Sequence, residues 1–90
     1  MGTALIKLKI MPESPDTDLN SIKTKAVKAI EEIKGSLTNS EEQEIAFGLK
    51  ALIVYVRIDE NIETGLVEDS LRNIQGVSSL DIIDYRRALE

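Results

Sequence analysis

The chain has 90 residues, 42% hydrophobic and 30% charged, with 16 acidic against 11 basic side chains and a formal net charge of -5; that length and apolar content suit one globular domain, residues 1–90, around a single core. It contains no cysteine and no histidine, which removes disulfides, thiolate and imidazole metal sites, thiol nucleophiles and imidazole general bases. The acidic balance and the scarcity of aromatics, Phe47, Tyr55 and Tyr85 alone, argue against a nucleic-acid partner, and the longest apolar run, Ala51 to Val56, is far shorter than the ~20 residues of a membrane span.

From Thr3 to Met11 the sequence alternates, with Ala4, Ile6, Leu8 and Ile10 on one side and Lys7 and Lys9 on the other, the period-2 signature of a half-buried strand. Pro12 and Pro15 cannot donate to a ladder and end it, and Asp16 or Asp18 offers a side-chain acceptor for the first amides of a helix. Leu19, Ile22, Ala26, Ala29, Ile30 and Ile33 then recur at helical spacing, and Gly35 stands where a left-handed stop is expected.

Ser36 to Glu44 is polar, with Leu37 its one candidate for burial, and reads as a weak edge strand or a loop. Leu49 to Asp59 sets Leu52, Val54, Val56 and Ile58 against Lys50, Tyr55 and Arg57, while Ala51 and Ile53 make the second face partly apolar, as in a central strand. Asp59, Glu60 and Asn61 form a turn. Thr64 can cap a second, short helix carrying Leu66, Val67, Leu71 and Ile74, which Gly76 ends. Val77 to Tyr85 returns to strand, with Leu80 and Ile82 facing the core.

The order β-α-β-β-α-β, with right-handed crossovers, predicts an α+β ferredoxin-like sandwich: a four-stranded antiparallel sheet with two helices on one face. The other face stays uncovered, and Lys7, Lys9, Tyr55, Arg57, Asp81 and Tyr85 are expected on it. The fold hosts many functions, so the residues must decide. An RNA-recognition domain of this fold stacks bases on aromatics of its central strands, where this chain has Lys7, Lys9 and one tyrosine. A soft-metal carrier needs a Cys-x-x-Cys pair after its first strand, where this chain has Met11-Pro12-Glu13-Ser14. An acylphosphatase-like enzyme needs an arginine in that loop, and there is none. The glycines at 2, 35, 48, 65 and 76 are isolated, so no phosphate cradle forms, and Glu41, Glu42 and Glu44 lack calcium-loop spacing.

Two segments stand out against this background. Ile45-Ala46-Phe47-Gly48-Leu49 places the only phenylalanine beside a glycine where a turn is normally polar, and a single large apolar side chain there suits a partner pocket as well as a sheet edge. Asp84-Tyr85-Arg86-Arg87 sets two guanidinium groups at the end of a strand, a common solubilising device as well as a contact.

With Met11-Pro12-Glu13-Ser14-Pro15-Asp16, Ile45-Ala46-Phe47-Gly48-Leu49-Lys50-Ala51-Leu52, and Gly76-Val77-Ser78 leading to Arg86-Arg87, the whole chain resembles the archaeal elongation factor 1-beta family. The resemblance implies a guanine nucleotide exchange factor, not an enzyme, that binds elongation factor 1-alpha in its GDP-bound and nucleotide-free states and promotes exchange of GDP for GTP. It implies no cofactor and, with the absence of a signal pattern, a cytoplasmic location. It further implies partner contacts at Phe47 and Gly48, at Arg87 with Arg86 beside it, and at Asp81. The eukaryotic relatives carry Lys where this chain has Arg87. A ligand-sensing or oligomerising regulatory module of the same fold is the alternative reading.

Overall fold

The computed structural model describes residues 2–46 and 48–88. The elements are β1 (Thr3–Pro12), α1 (Leu19–Glu32), β2 (Ser36–Ala46), β3 (Leu49–Asp59), α2 (Thr64–Arg72) and β4 (Val77–Ala88). The strands form one antiparallel sheet in the order β2-β3-β1-β4, which is the expected ferredoxin-like arrangement. β1 and β3 are central; β2 and β4 are the edges.

Alternation on the central strands builds the core. Ala4, Ile6, Leu8 and Ile10 are at most 1% exposed and stand opposite Ile58, Val56, Val54 and Leu52, so one ladder supplies two rows of branched side chains on a single face. Ile22, Ala26 and Ile30 of α1 and Val67 and Leu71 of α2 close over them. α1 lies over β2 and β3, and α2 over β4. Burying each such aliphatic side chain contributes about 1.5–3 kcal/mol, and among the described residues no polar or charged side chain is buried to offset it.

The segment 36–44, expected as a weak edge strand or a loop, belongs to a strand of 11 residues whose pairing shifts register between Leu37 and Asn39 and between Glu44 and Ala46. Its backbone pairs with β3 from Ser36 opposite Arg57 to Ala46 opposite Leu49. Main-chain pairing with an already buried neighbour is enough to hold it, and only Leu37 packs against the core. A strand held in this way leaves no apolar period to read.

The helix ends differ from expectation in instructive ways. Asp18, not Asp16, caps α1, its Oδ1 accepting from the Asn20 amide at 2.9 Å and the Ser21 amide at 3.4 Å. The left-handed stop falls on Lys34, at φ 66, and not on Gly35. The Lys34 amide donates to the Glu31 carbonyl at 3.0 Å and the Gly35 amide to the Ile30 carbonyl at 2.9 Å, a Schellman pattern with a lysine in the position glycine usually takes. Gly35 is there for space: a Cβ would meet Ile58 Cγ2 at 2.6 Å and Ile30 Cγ2 at 2.9 Å. Thr64 is the first residue of α2, whose cap is Glu63 without a side-chain bond. α2 ends at Arg72 with Asn73 as its C-cap, so Ile74 lies beyond the helix, and Gly76, at φ 99, marks the turn into β4 and not the helix stop expected of it.

β4 carries an irregularity that changes the surface. Leu8 pairs with Ile82 but Lys7 pairs with Asp84, so Ile83 is an extra residue, a β-bulge. Beyond it the alternation inverts. Tyr85, expected on the uncovered face, stands opposite Ile6 on the helix-bearing face, while Asp84 and Arg86 stand opposite Lys7 and Leu5 on the uncovered one.

The two residues after α1 should respond in opposite senses. Lys34→Gly is expected to stabilise the protein by about 1 kcal/mol, because it relieves a left-handed side chain. Gly35→Ala is expected to cost about 1–3 kcal/mol through overpacking against Ile30 and Ile58. Urea unfolding midpoints at constant slope measure both.

Candidate partner-binding surface

The uncovered face is organised in rows that run across the strands from β2 to β4. Ser36, Arg57, Leu5 and Arg86 form the first, Asn39, Tyr55, Lys7 and Asp84 the second, and Glu41, Ile53, Lys9 and Asp81 the third. Gln43 opposite Ala51 continues the pattern toward the β2–β3 hairpin. Although no helix covers this face, Ala51 and Ile53 are 0% and 2% exposed.

Tyr55 is fixed from several sides. Its hydroxyl donates to Glu41 Oε1 at 2.9 Å, its backbone carbonyl accepts from the Thr38 hydroxyl at 3.2 Å, and the Lys7 ammonium sits 5.4 Å from the ring centroid, a cation–π contact worth about 0.5–1 kcal/mol at an exposed site. Arg86 Nε donates to Asp84 Oδ2 at 3.0 Å, with 76% of the arginine side chain exposed. An ion pair so open to water orients the guanidinium more than it stabilises the fold.

The sequence-predicted contacts do not converge on one spot. Gly48, at φ +73 and with no atom within 4 Å of the point a Cβ would occupy, lies at the β2–β3 hairpin; glycine serves the backbone turn there and makes room for nothing. It borders a polar cleft of about 290 Å³ with Pro12, Asp18, Glu42 and Lys50. The expectation placed on Phe47 lies outside the described residues. Asp81 pairs with Lys9 toward the middle of the uncovered face. Arg86 and Arg87 lie at the far end of β4, opposite Leu5 and Ala4, so they point to opposite sides of the sheet. At ~3.3 Å per residue along β3, roughly 30 Å separates Gly48 from the Arg86 row.

What sequence reasoning misses is the row-mate set of Arg86: Leu5 beside it and Asp84 two residues before it. The bulge brings them together, and its trace in the sequence is Ile82-Ile83, two adjacent aliphatic residues in a strand that otherwise alternates. Among the described residues no group of three or more acidic side chains is placed to hold a metal ion, and no helix is long and apolar enough to cross a membrane.

Comparison with known proteins places this surface in a family. The protein-family model of the EF-1 guanine nucleotide exchange domain matches residues 5–88. The chain belongs to that family. Elongation factor 1-beta of Methanothermobacter thermautotrophicus is 41% identical over 90 residues, covering 99% of this chain and 100% of the relative. The elongation factor 1-beta proteins of Methanobrevibacter smithii, 38% identical over 90 residues with 99% and 100% coverage, and Methanosarcina barkeri, 40% identical over 91 residues with 97% and 99% coverage, are similar along their whole length. The expected membership in the elongation factor 1-beta family is thereby borne out, and with it a role in guanine nucleotide exchange in translation.

The Tyr55 hydroxyl joins two exposed groups, so Tyr55→Phe is expected to cost no more than about 1 kcal/mol in urea unfolding. A loss well beyond that would mean the hydroxyl supports the sheet and not merely the surface.

Proposed function

We propose that this chain acts on the GTPase elongation factor 1-alpha, binding its GDP-bound and nucleotide-free forms and accelerating GDP release so that GTP can enter. The observation that carries this reading is the family match over residues 5–88, supported by relatives that align end to end. In this reading residues 1–90 work as one exchange domain in the cytoplasm, and the chain makes and breaks no covalent bond.

The mechanism is reciprocal coupling. A partner that binds the empty GTPase more tightly than the loaded one lowers nucleotide affinity by the same factor. Phe47 supplies the apolar anchor and Gly48 the turn that presents it, while Asp81, Arg86 and Arg87 form polar contacts along the sheet and at its far end. Arg87, exposed at the end of β4, brings a permanent positive charge. Placed near the magnesium ion of the GTPase, such a charge repels the ion, and loss of the ion loosens the clamp on the GDP phosphates. Contacts some 30 Å apart along a strand, at ~3.3 Å per residue, suit a partner that grips both ends of the domain, so neither end needs to carry the whole interaction.

Release of fluorescent GDP from elongation factor 1-alpha should be accelerated by catalytic amounts of this protein. Phe47→Ala and Arg87→Ala should each slow it by about tenfold or more, the scale of an interface hot spot. No acceleration by the unmutated chain would end the exchange reading; acceleration that neither substitution affects would leave the function standing and refute the residue assignments.

A further inference from the structure

The first two rows of the uncovered face enclose a concavity of about 380 Å³ whose lining includes Leu5, Lys7, Thr38, Tyr55, Asp84 and Arg86. We propose that this concavity is a second contact site for the partner GTPase, taking an acidic, apolar segment: an aliphatic or aromatic side chain seated on Leu5 against Tyr55, with a neighbouring carboxylate held by Lys7 and Arg86. The inference rests on the exchange reading and adds a place and a chemistry to it.

Three observations carry it. Leu5 is 41% exposed although it sits on a central strand, paired on both sides with Arg57 and Arg86. An exposed leucine by itself is ordinary, but this one forms the floor of a hollow with cationic neighbours. The site is also rigid before any partner arrives: β1 is hydrogen-bonded to strands on both sides, Tyr55 is tied through its hydroxyl to Glu41 at 2.9 Å, and Asp84 holds Arg86 at 3.0 Å. Preorganised side chains lose little entropy on binding. Finally, the charges are available. Asp84 engages only Nε of Arg86, which leaves the terminal nitrogens of the fork, and the Lys7 ammonium meets the Tyr55 ring at 5.4 Å with no carboxylate paired to it among the described residues. In a chain of net charge -5, such a local surplus of cations favours an acidic partner and steers its approach.

A nucleic-acid backbone fits less well. The face of Tyr55 that would stack a base lies under Lys7.

The test measures direct binding to nucleotide-free elongation factor 1-alpha by calorimetry, in parallel with GDP release. Leu5→Asp and Lys7→Glu are each expected to raise Kd by about tenfold or more, with Leu5→Met within about twofold, as for a desolvated contact at the centre of an interface. Circular dichroism and urea unfolding confirm that the variants are folded, and Leu5→Ala, which adds no charge, should show an intermediate loss. Unchanged Kd for Leu5→Asp and Lys7→Glu, in a protein whose Phe47→Ala variant exchanges slowly, overturns this site and leaves the exchange reading intact. Tight, Leu5-dependent binding without GDP release supports the site and overturns the exchange reading; no binding at all overturns both. If Lys7→Glu abolishes binding of polyuridylate RNA and leaves the GTPase affinity untouched, the site belongs to nucleic acid and the proposal fails.

Discussion

Everything on this surface depends on the pairing of β1 between β3 and β4. The ladder from Thr3 opposite Asp59 to Ile10 opposite Leu52 fixes which side chains meet the helices, and a slip of one residue would exchange Ile6, Leu8 and Ile10 for Lys7 and Lys9. Because the helix side holds branched aliphatics at essentially zero exposure, that slip costs many kilocalories and the register is unique. The uncovered face inherits its order from this constraint: its rows are the other half of the same alternation.

The bulge at Ile83 is a place where the constraint is relaxed in the middle of the β1–β4 ladder. An edge strand has a free side, so it tolerates an extra residue that a central strand would not. Its effect is to send Tyr85 to the helix side and to bring Asp84 and Arg86 beside Lys7 and Leu5. It also breaks a 12-residue edge that would otherwise offer a long flat template for aggregation. The same irregularity thus shapes a surface and protects it.

How much of this is legible in the sequence follows from the kind of force involved. β1, α1, β3 and α2 announce themselves because apolar side chains must recur at a period for the core to close, and the fold class follows from their order. β2 does not, since backbone pairing leaves no mark on side chains such as Ser40, Glu42 and Glu44. The left-handed lysine at 34 is invisible for a related reason: Gly35 satisfies the composition rule for a helix stop while serving a packing need against Ile58. Family resemblance names the partner contacts but not their layout: Gly48 and Arg86 lie at opposite ends of the sheet, and Arg86 and Arg87 on opposite faces. Neither fact follows from sequence until the strand order and the bulge are known.

The central claim is that one rigid sheet presents separated contacts to one GTPase. Amide hydrogen exchange of this protein, free and in complex with nucleotide-free elongation factor 1-alpha, tests it most directly. Added protection should appear both around the β2–β3 hairpin at Gly48 and along the end of β4 at Arg86 and Arg87, with the solvent-facing side of α1 at Lys25 and Lys28 unchanged. Protection confined to one end of the sheet, or centred on α1, would contradict the account.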